Sequence, residues 1–159
     1  MPLLLEALRD VDARAVVVGF GPLRAQLDRQ AGPDLLLTGP LEHRHLRHLW
    51  ALADVSVTPS VFPEAFGMVA AEAAACGSPP LVAHHSGLAE IAAAVEAEYP
   101  PELRHLASFR SGDAGDLAAK LTEILTLPSE ARALLADGAR RATTRSFGWE
   151  RIAAAILSL

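Results

Sequence analysis

Cysteine, lysine and aromatic residues are scarce in this chain of 159 residues. A single cysteine, Cys76, excludes an intramolecular disulfide framework. No apolar run approaches the length that crosses a membrane. The formal charge of -5 argues against nucleic acid or an anionic membrane as the main partner. No basic segment accompanies Met1-Pro2-Leu3, so a signal peptide is not indicated and we expect a cytoplasmic protein.

Apolar residues, by contrast, are abundant: they make up 51% of the chain, enough to bury the core of one domain. Short apolar runs alternate with helix-forming stretches along the whole length. The runs Ala15–Val18, Leu35–Leu37, Asp54–Ser60 and Leu81–Ala83 are predicted strands. This alternation predicts an α/β fold with a doubly wound parallel sheet.

The most informative stretch runs from Thr58 to Ile91. A predicted strand ends at its start, and a loop, Val61–Phe66, leads into a helix predicted over Gly67–Ala75. Leu81–Ala83 is the next strand, so the stretch is a βαβ unit. Its loop leaves the carboxyl end of a strand, which is where open α/β sheets bind ligands.

The start of this helix is a predicted anion site. The backbone amides from Phe66 to Val69 have no partner within the helix, and the helix dipole favours negative charge there. Gly67 lacks a Cβ and lets a ligand approach the backbone closely. Glu64 and Glu72 flank the site, and a carboxylate accepts hydrogen bonds from hydroxyls but repels phosphate. Together these features predict a ligand with both phosphate and hydroxyl groups, such as a nucleotide sugar.

The segment PEAFGMVAAEAAACGSP, residues 63–79, resembles the donor-site signature of retaining GT-B glycosyltransferases of family 4, also called group 1. SGLAEI, residues 86–91, resembles the loop and helix that follow in that family. The resemblance implies that Glu64 is the catalytic residue, orienting the donor sugar rather than attacking it, and that Glu72 contacts the ribose. It also implies that the donor diphosphate is held by the backbone of Phe66, Gly67, Met68 and Val69.

Other segments extend the resemblance over nearly the whole chain. Gly19–Pro22 resembles the family segment V-G-x-G-P, and Phe147–Trp149 resembles its closing F-x-W. The loop after the second strand stands where the family holds the nucleobase, which implies a contact with Leu41. Residues 1–159 therefore resemble one Rossmann-like domain, the C-terminal, donor-binding half of a GT-B enzyme. The resemblance implies no metal and no cofactor besides the nucleotide-sugar substrate.

The histidines suggest a second kind of site. His43, His45 and His48 fall in one predicted helix, but no HExxH or carboxylate pattern accompanies them, so a solvated face is favoured over a metal site. The buried stripe of that helix is predicted to be Leu46, Leu49 and Leu52. His84 and His85 follow a strand on the ligand side, where either could bond a phosphate or a sugar.

Several parts of the family pattern have no counterpart in the sequence. The N-terminal acceptor domain and the first strand of the C-terminal domain are absent, and with that strand goes the family's Arg and Lys pair that neutralises the diphosphate. No lysine precedes Lys120, and Arg9 and Arg14 fall elsewhere. Ser86 stands where the family usually has glycine. Because charge-assisted bonds to the diphosphate are missing, we expect the chain alone not to transfer sugar and the missing domain to be its partner.

Three alternatives remain open from the sequence. A GT-B epimerase or phosphorylase would share the architecture, although no lysine loop for a pyridoxal site is visible. A non-catalytic module could bind nucleotides without turnover. An inert folded fragment could self-associate through the face that the absent domain would cover.

Overall fold

The structure is a computed structural model that describes residues 2–158, the side chain of Ala155 excepted; Met1 and Leu159, the ends of the predicted domain, lie outside it. Its strands are Ala15–Val18 (β1), Leu35–Gly39 (β2), Ser56–Thr58 (β3), Pro80–Ala83 (β4) and Ser108–Phe109 (β5). Its α-helices are Pro2–Ala7 (α1), Arg24–Gln30 (α2), His43–Leu52 (α3), Met68–Ala75 (α4), Ser86–Glu96 (α5), Ala114–Thr126 (α6), Ser129–Phe147 (α7) and Trp149–Leu157 (α8). Short 3-10 helices cover Leu8–Asp10 and Pro101–Leu106. The predicted α/β architecture is confirmed.

All described strand pairs are parallel, but they form two sheets instead of one. β1 pairs with β2, aligning Val16 with Leu36. The second sheet has the order β3-β4-β5, with Val57 beside Leu81. Within residues 2–158 no ladder joins β1 to β3, so each of these strands presents one unpaired edge. The sheet is therefore split between its first and third described strands.

The hydrophobic core lies mainly around the three-stranded sheet. Every residue of β4 is buried, and helices α4, α5 and α7 pack against one another over it. The two-stranded sheet is less well covered: Val16 and Leu36, which are neighbours in register, are 50% and 60% exposed. Parallel strands are normally covered on both faces, so the two-stranded sheet leaves apolar strand surface unburied that such a strand would usually bury.

Helix α3 departs from the sequence prediction. Leu46 and Leu49 are only half-buried and Leu52 is 83% exposed, so the predicted buried stripe is wrong. The helix carries the chain from the end of β2 to the start of β3, that is, from one sheet to the other, and its described packing is against α4. A helix above the boundary between two sheets has less surface to cover than one above a continuous sheet.

A largely buried carboxylate just after α5 ties the end of this helix to α7. Glu98, whose side chain is 13% exposed, pairs with Arg141 at 3.0 Å and with Arg145 at 2.5 Å. Arg141 also donates to the Glu98 carbonyl at 3.1 Å. The hydrogen bond from Arg141, with support from Arg145, holds the pKa of the Glu98 carboxyl below its ordinary value of 4.5, against the opposing effect of burial.

This arrangement predicts a defined pH dependence of stability. A carboxylate with a lowered folded-state pKa stabilises the fold above its ordinary pKa, and this contribution is lost as the pH falls through the lower folded value. Glu98→Gln should therefore lower the free energy of unfolding by about 1–2 kcal/mol at pH 7 and by much less near pH 3. Urea unfolding at both pH values measures the difference, with the exposed Glu130→Gln on α7 as the control. Equal losses at the two pH values would contradict the assignment.

Candidate functional site

Loops that leave the carboxyl ends of the strands form the candidate site, and the one after β3 is central. It runs through residues 59–66 into α4, whose N-cap is Gly67 with φ of 97°. This left-handed conformation suits glycine. A Cβ at Gly67 would lie 2.5 Å from Leu88 Cδ2, so the turn also sits directly on the core. The start of α4 is thus fixed by both conformation and packing.

The first turn of α4 carries the amides that the sequence predicted as an anion site. Ala70 and Ala71 are the first residues of the helix whose amides donate within it, both to the Gly67 carbonyl. The amides just before them belong to the unpaired N-terminal set that every helix leaves. The side chains of Met68 and Val69 are exposed beside them. Phe66 is anchored instead, its ring packed edge-on against Phe147 of α7 with centroids 5.0 Å apart.

Glu72 lies half-buried on α4 and faces α3. Its Oε2 is 3.9 Å from Nδ1 of His43, the first residue of that helix. The separation is longer than a hydrogen bond. It brings the loop of Gly39–Glu42, with half-buried Leu41, to the side of α4 that bears Glu72. The predicted ribose contact and the predicted nucleobase loop therefore meet, and His43 is a site neighbour that the sequence analysis did not assign.

Glu64 lies half-buried in the loop before α4, and its backbone is bonded to the start of α5. Its amide donates to Ser86 Oγ at 2.9 Å, and its carbonyl accepts from the Gly87 amide at 3.0 Å. A Cβ at Gly87 would stand only 2.5 Å from Phe66 Cα, so the two loops are in close contact. These contacts fix the backbone that carries the Glu64 carboxylate.

The remaining histidines are distributed over separate surfaces. His85 bonds to the Glu64 loop, whereas His84 is exposed and lines an open groove of about 580 Å³ with Arg110 and Lys120. His45 and His48 are exposed on α3, beside Arg44 and Arg47. Among the described residues no three His, Cys, Asp or Glu side chains come together as metal ligands.

An apolar cavity of about 210 Å³ lies at the carboxyl end of β1, away from the loop after β3. It is lined by residues of the Gly19–Pro22 turn, by Val17 and Leu37 of the small sheet, and by Leu23 and Leu27 at α2. Arg24, at the start of α2, donates to the Leu37 carbonyl at 3.2 Å and pairs with Asp28 at 3.0 Å. Neither Glu64 nor Glu72 lines the cavity, so it is separate from the acids of the candidate site.

The two carboxylates of the candidate site, Glu64 and Glu72, are not neutralised by a described ion pair with a cationic side chain. In the part of the chain that the structure describes, neither Glu64 nor Glu72 forms an ion pair with an arginine or a lysine. The positive potential at the site comes from the first turn of α4. An anion held there would be bound by the backbone amides at the start of α4.

The parallel α/β fold of this chain matches one part of the GT-B structures of glycosyltransferases. The model of the family "Glycosyl transferases group 1" matches residues 1–127. The chain belongs to this family.

Several known proteins are similar to the chain. A GDP-mannose-dependent alpha-(1-6)-phosphatidylinositol dimannoside mannosyltransferase of Mycobacterium tuberculosis is 37% identical over 161 residues. A D-inositol 3-phosphate glycosyltransferase of Xylanimonas cellulosilytica is 36% identical over 126 residues, 79% of this chain and 27% of that protein. The crystal structure of Anabaena Alr3699/HepE in complex with UDP and glucose superposes with a TM-score of 0.79 at 23% identity, over 100% of this chain and 45% of that one. Sucrose-phosphate synthase from Thermosynechococcus elongatus gives a TM-score of 0.79 at 27% identity, over 98% and 40%.

The matched proteins are much longer than this chain. The mannosyltransferase alignment covers 97% of the chain but 38% of the relative. The chain thus spans less than half the length of each of these proteins. None of its described helices is both long and apolar enough to cross a membrane.

Proposed function

We propose that this chain is the nucleotide-sugar donor-binding half of a retaining glycosyltransferase. The observation that carries the proposal is the start of α4, a turn of unpaired amides between Glu64 and Glu72 at the carboxyl edge of a parallel sheet, in a chain of the group 1 family. The parent reaction is transfer of a sugar from a nucleoside-diphosphate donor to an acceptor hydroxyl with retained anomeric configuration. The proposed setting is cytoplasmic.

Each part of the donor has a proposed contact. The diphosphate lies on the backbone of Phe66–Val69, the ribose hydroxyls donate to Glu72, and the nucleobase lies beside Leu41. Glu64 accepts hydrogen bonds from the donor sugar and orients its anomeric carbon. No metal ion takes part in this proposal. The 3.9 Å separation of His43 from Glu72 supports it, because it brings the ribose contact and the nucleobase loop together.

We propose further that a strand and a domain from the longer polypeptide complete the site. In a doubly wound sheet the first strand lies between the second and the fourth. The split between β1 and β3 is the corresponding position. A right-handed crossover through α1 into β1 would begin in that gap. The carboxyl end of the added strand would then lie beside the start of α4, where the described acids Glu64 and Glu72 have no ion pair with an arginine or a lysine.

For the isolated chain, binding without turnover is the second candidate function. Half of the proposed cleft is not in this chain, and among the described residues no Arg or Lys forms an ion pair with Glu64 or Glu72. The exposed Phe20, Phe62, Met68 and Trp149 provide apolar surface through which the isolated chain could self-associate.

Binding of donors tests the proposal directly. The chain is titrated with UDP-, GDP- and ADP-sugars by calorimetry, together with Glu72→Ala. We expect saturable binding of one nucleotide class, weakened about tenfold in Glu72→Ala because ribose hydroxyls lose a charged acceptor. Glu130→Ala, an exposed acid on α7, is the control and should bind like the parent chain. Equal affinity in all three proteins would contradict the assignment of Glu72.

A further inference from the structure

We propose that His85, together with Ser86, is a positioning residue that holds the Glu64 loop through a directed chain of hydrogen bonds. The functional part of this inference rests on the proposed role of Glu64 at the donor sugar. Three contacts form the chain: His85 Nε2 to the Ser60 carbonyl at 2.8 Å, His85 Nδ1 to Ser86 Oγ at 2.8 Å, and the Glu64 amide to Ser86 Oγ at 2.9 Å.

The chemistry of the partners fixes the direction of each bond. The Ser60 carbonyl can only accept, so Nε2 carries the ring proton and donates to it. In the neutral ring Nδ1 is then an acceptor, and it receives the Ser86 hydroxyl proton. The Glu64 amide can only donate, and Ser86 Oγ accepts from it. Every donor has an acceptor, and one histidine tautomer is selected.

This series of hydrogen bonds joins both ends of the Glu64 loop to the turn between β4 and α5. Ser60 lies where the loop leaves β3, and Glu64 lies where it approaches α4. The Gly87 amide adds a bond to the Glu64 carbonyl. Both backbone polar groups of Glu64 are therefore engaged before any ligand arrives. Such preorganisation is what a residue that must orient a substrate requires.

The backbone at Ser86 supports the same inference. Ser86 has φ of 44°, the one described non-glycine residue with positive φ. This conformation is costly for a residue with a Cβ, and glycine would adopt it freely. Glycine, however, has no hydroxyl to bridge His85 and Glu64. The serine is explained by the bond it makes and not by its backbone.

The same bonds occupy both ring nitrogens of His85. An imidazole has two nitrogens, and the described contacts use each of them within the protein. His85 therefore acts on the ligand through Glu64, without a free nitrogen to offer a phosphate or a sugar.

The test compares His85→Ala with His85→Gln. A glutamine side chain ends in an NH2 group that donates and an oxygen that accepts, so it can bond both the Ser60 carbonyl and the Ser86 hydroxyl, but it cannot ionise. We expect the Glu64 amide to exchange with solvent about tenfold faster in His85→Ala and to keep its protection in His85→Gln. Ser86→Gly, which removes the hydroxyl and the backbone strain together, should resemble His85→Ala. His48→Ala, exposed on α3, is the control.

Donor titration of the same variants separates this inference from the proposed function. Affinity about tenfold lower in His85→Ala and near the parent value in His85→Gln would support a positioning role. Unchanged Glu64 exchange in His85→Ala would overturn the inference whether or not donor binds. Loss of exchange protection with unchanged donor affinity would overturn the functional part. A parent chain that binds no donor refutes donor binding by the isolated chain, and the exchange result still decides whether His85 holds the loop.

Discussion

Alanine at position 87 is expected to displace the Glu64 loop and to destabilise the chain by about 2–3 kcal/mol. The added Cβ would lie 2.5 Å from Phe66 Cα and 2.6 Å from both the Ala65 carbonyl oxygen and the Phe66 nitrogen. These are backbone atoms, which cannot rotate away as a side chain can. Relief requires the loop to separate from α5, and that movement breaks the hydrogen bonds of Glu64 to Ser86 and Gly87.

Urea unfolding measures this loss, and Gly115→Ala is the matched control. Gly115 lies in the first turn of α6, and its added Cβ meets only Asp113 Oδ1 at an ordinary 3.4 Å. Alanine is the better helix former, so this change should be neutral or stabilising by up to about 1 kcal/mol. Donor titration of Gly87→Ala should show weakened binding together with the lost stability. A Gly87→Ala chain as stable as Gly115→Ala would refute the close contact of the two loops.

Gly67→Ala is the second substitution with a large expected effect, about 3 kcal/mol from two separate causes. Alanine at φ of 97° is strained, and its Cβ would lie 2.5 Å from Leu88 Cδ2 and 3.7 Å from Ile91 Cγ1. Leu88 and Ile91 are fully buried, so neither can move without disturbing the core. The amides at the start of α4 should shift, and donor affinity should fall with them.

Gly112→Ala separates the two causes. Gly112 also has a positive φ, 79°, but a Cβ added there meets nothing within 4 Å. Its substitution should cost only the conformational strain, about 1 kcal/mol. Thermal and urea unfolding of both variants give the difference, which measures the clash with Leu88. Similar losses in the two variants would show that the core beneath Gly67 adapts to a methyl group.

Local sequence patterns were sufficient to predict most of the fold. The apolar runs at 15–18 and 81–83 became β1 and β4 because short valine- and leucine-rich runs between breakers have few alternatives. The helix start at Gly67 followed from the loop and the alanine-rich run after it. The roles of Glu64, Glu72 and the α4 amides remain predictions, although the structure places all of them at one edge of the sheet.

Contacts between segments that are distant along the chain could not be predicted from the sequence. The bonds of His85 to Ser60 and Ser86 depend on how two loops meet across β3 and β4, and nothing in the local pattern of two adjacent histidines reveals it. The exposure of Leu52 depends on where α3 crosses between the sheets. In residues 103–109 the end of a 3-10 helix is followed after a single residue by a two-residue strand, and both are too short for a hydrophobic period to reveal. Hydrophobic periodicity reports which face a segment buries, not whether a partner for that face exists.

The division of the sheet also bears on how the molecule opens. The β1–α2–β2 unit contributes Leu27 as a buried side chain, whereas nearly all the other buried apolar residues belong to the rest of the fold. Local unfolding should therefore begin in residues 15–39, at a lower free energy than global unfolding. A nucleotide that touches Leu41, just after this unit, and Glu72 on α4 would join the less stable part to the more stable one. Ligand occupancy would then suppress the opening of the weaker unit, in proportion to how strongly binding requires it closed.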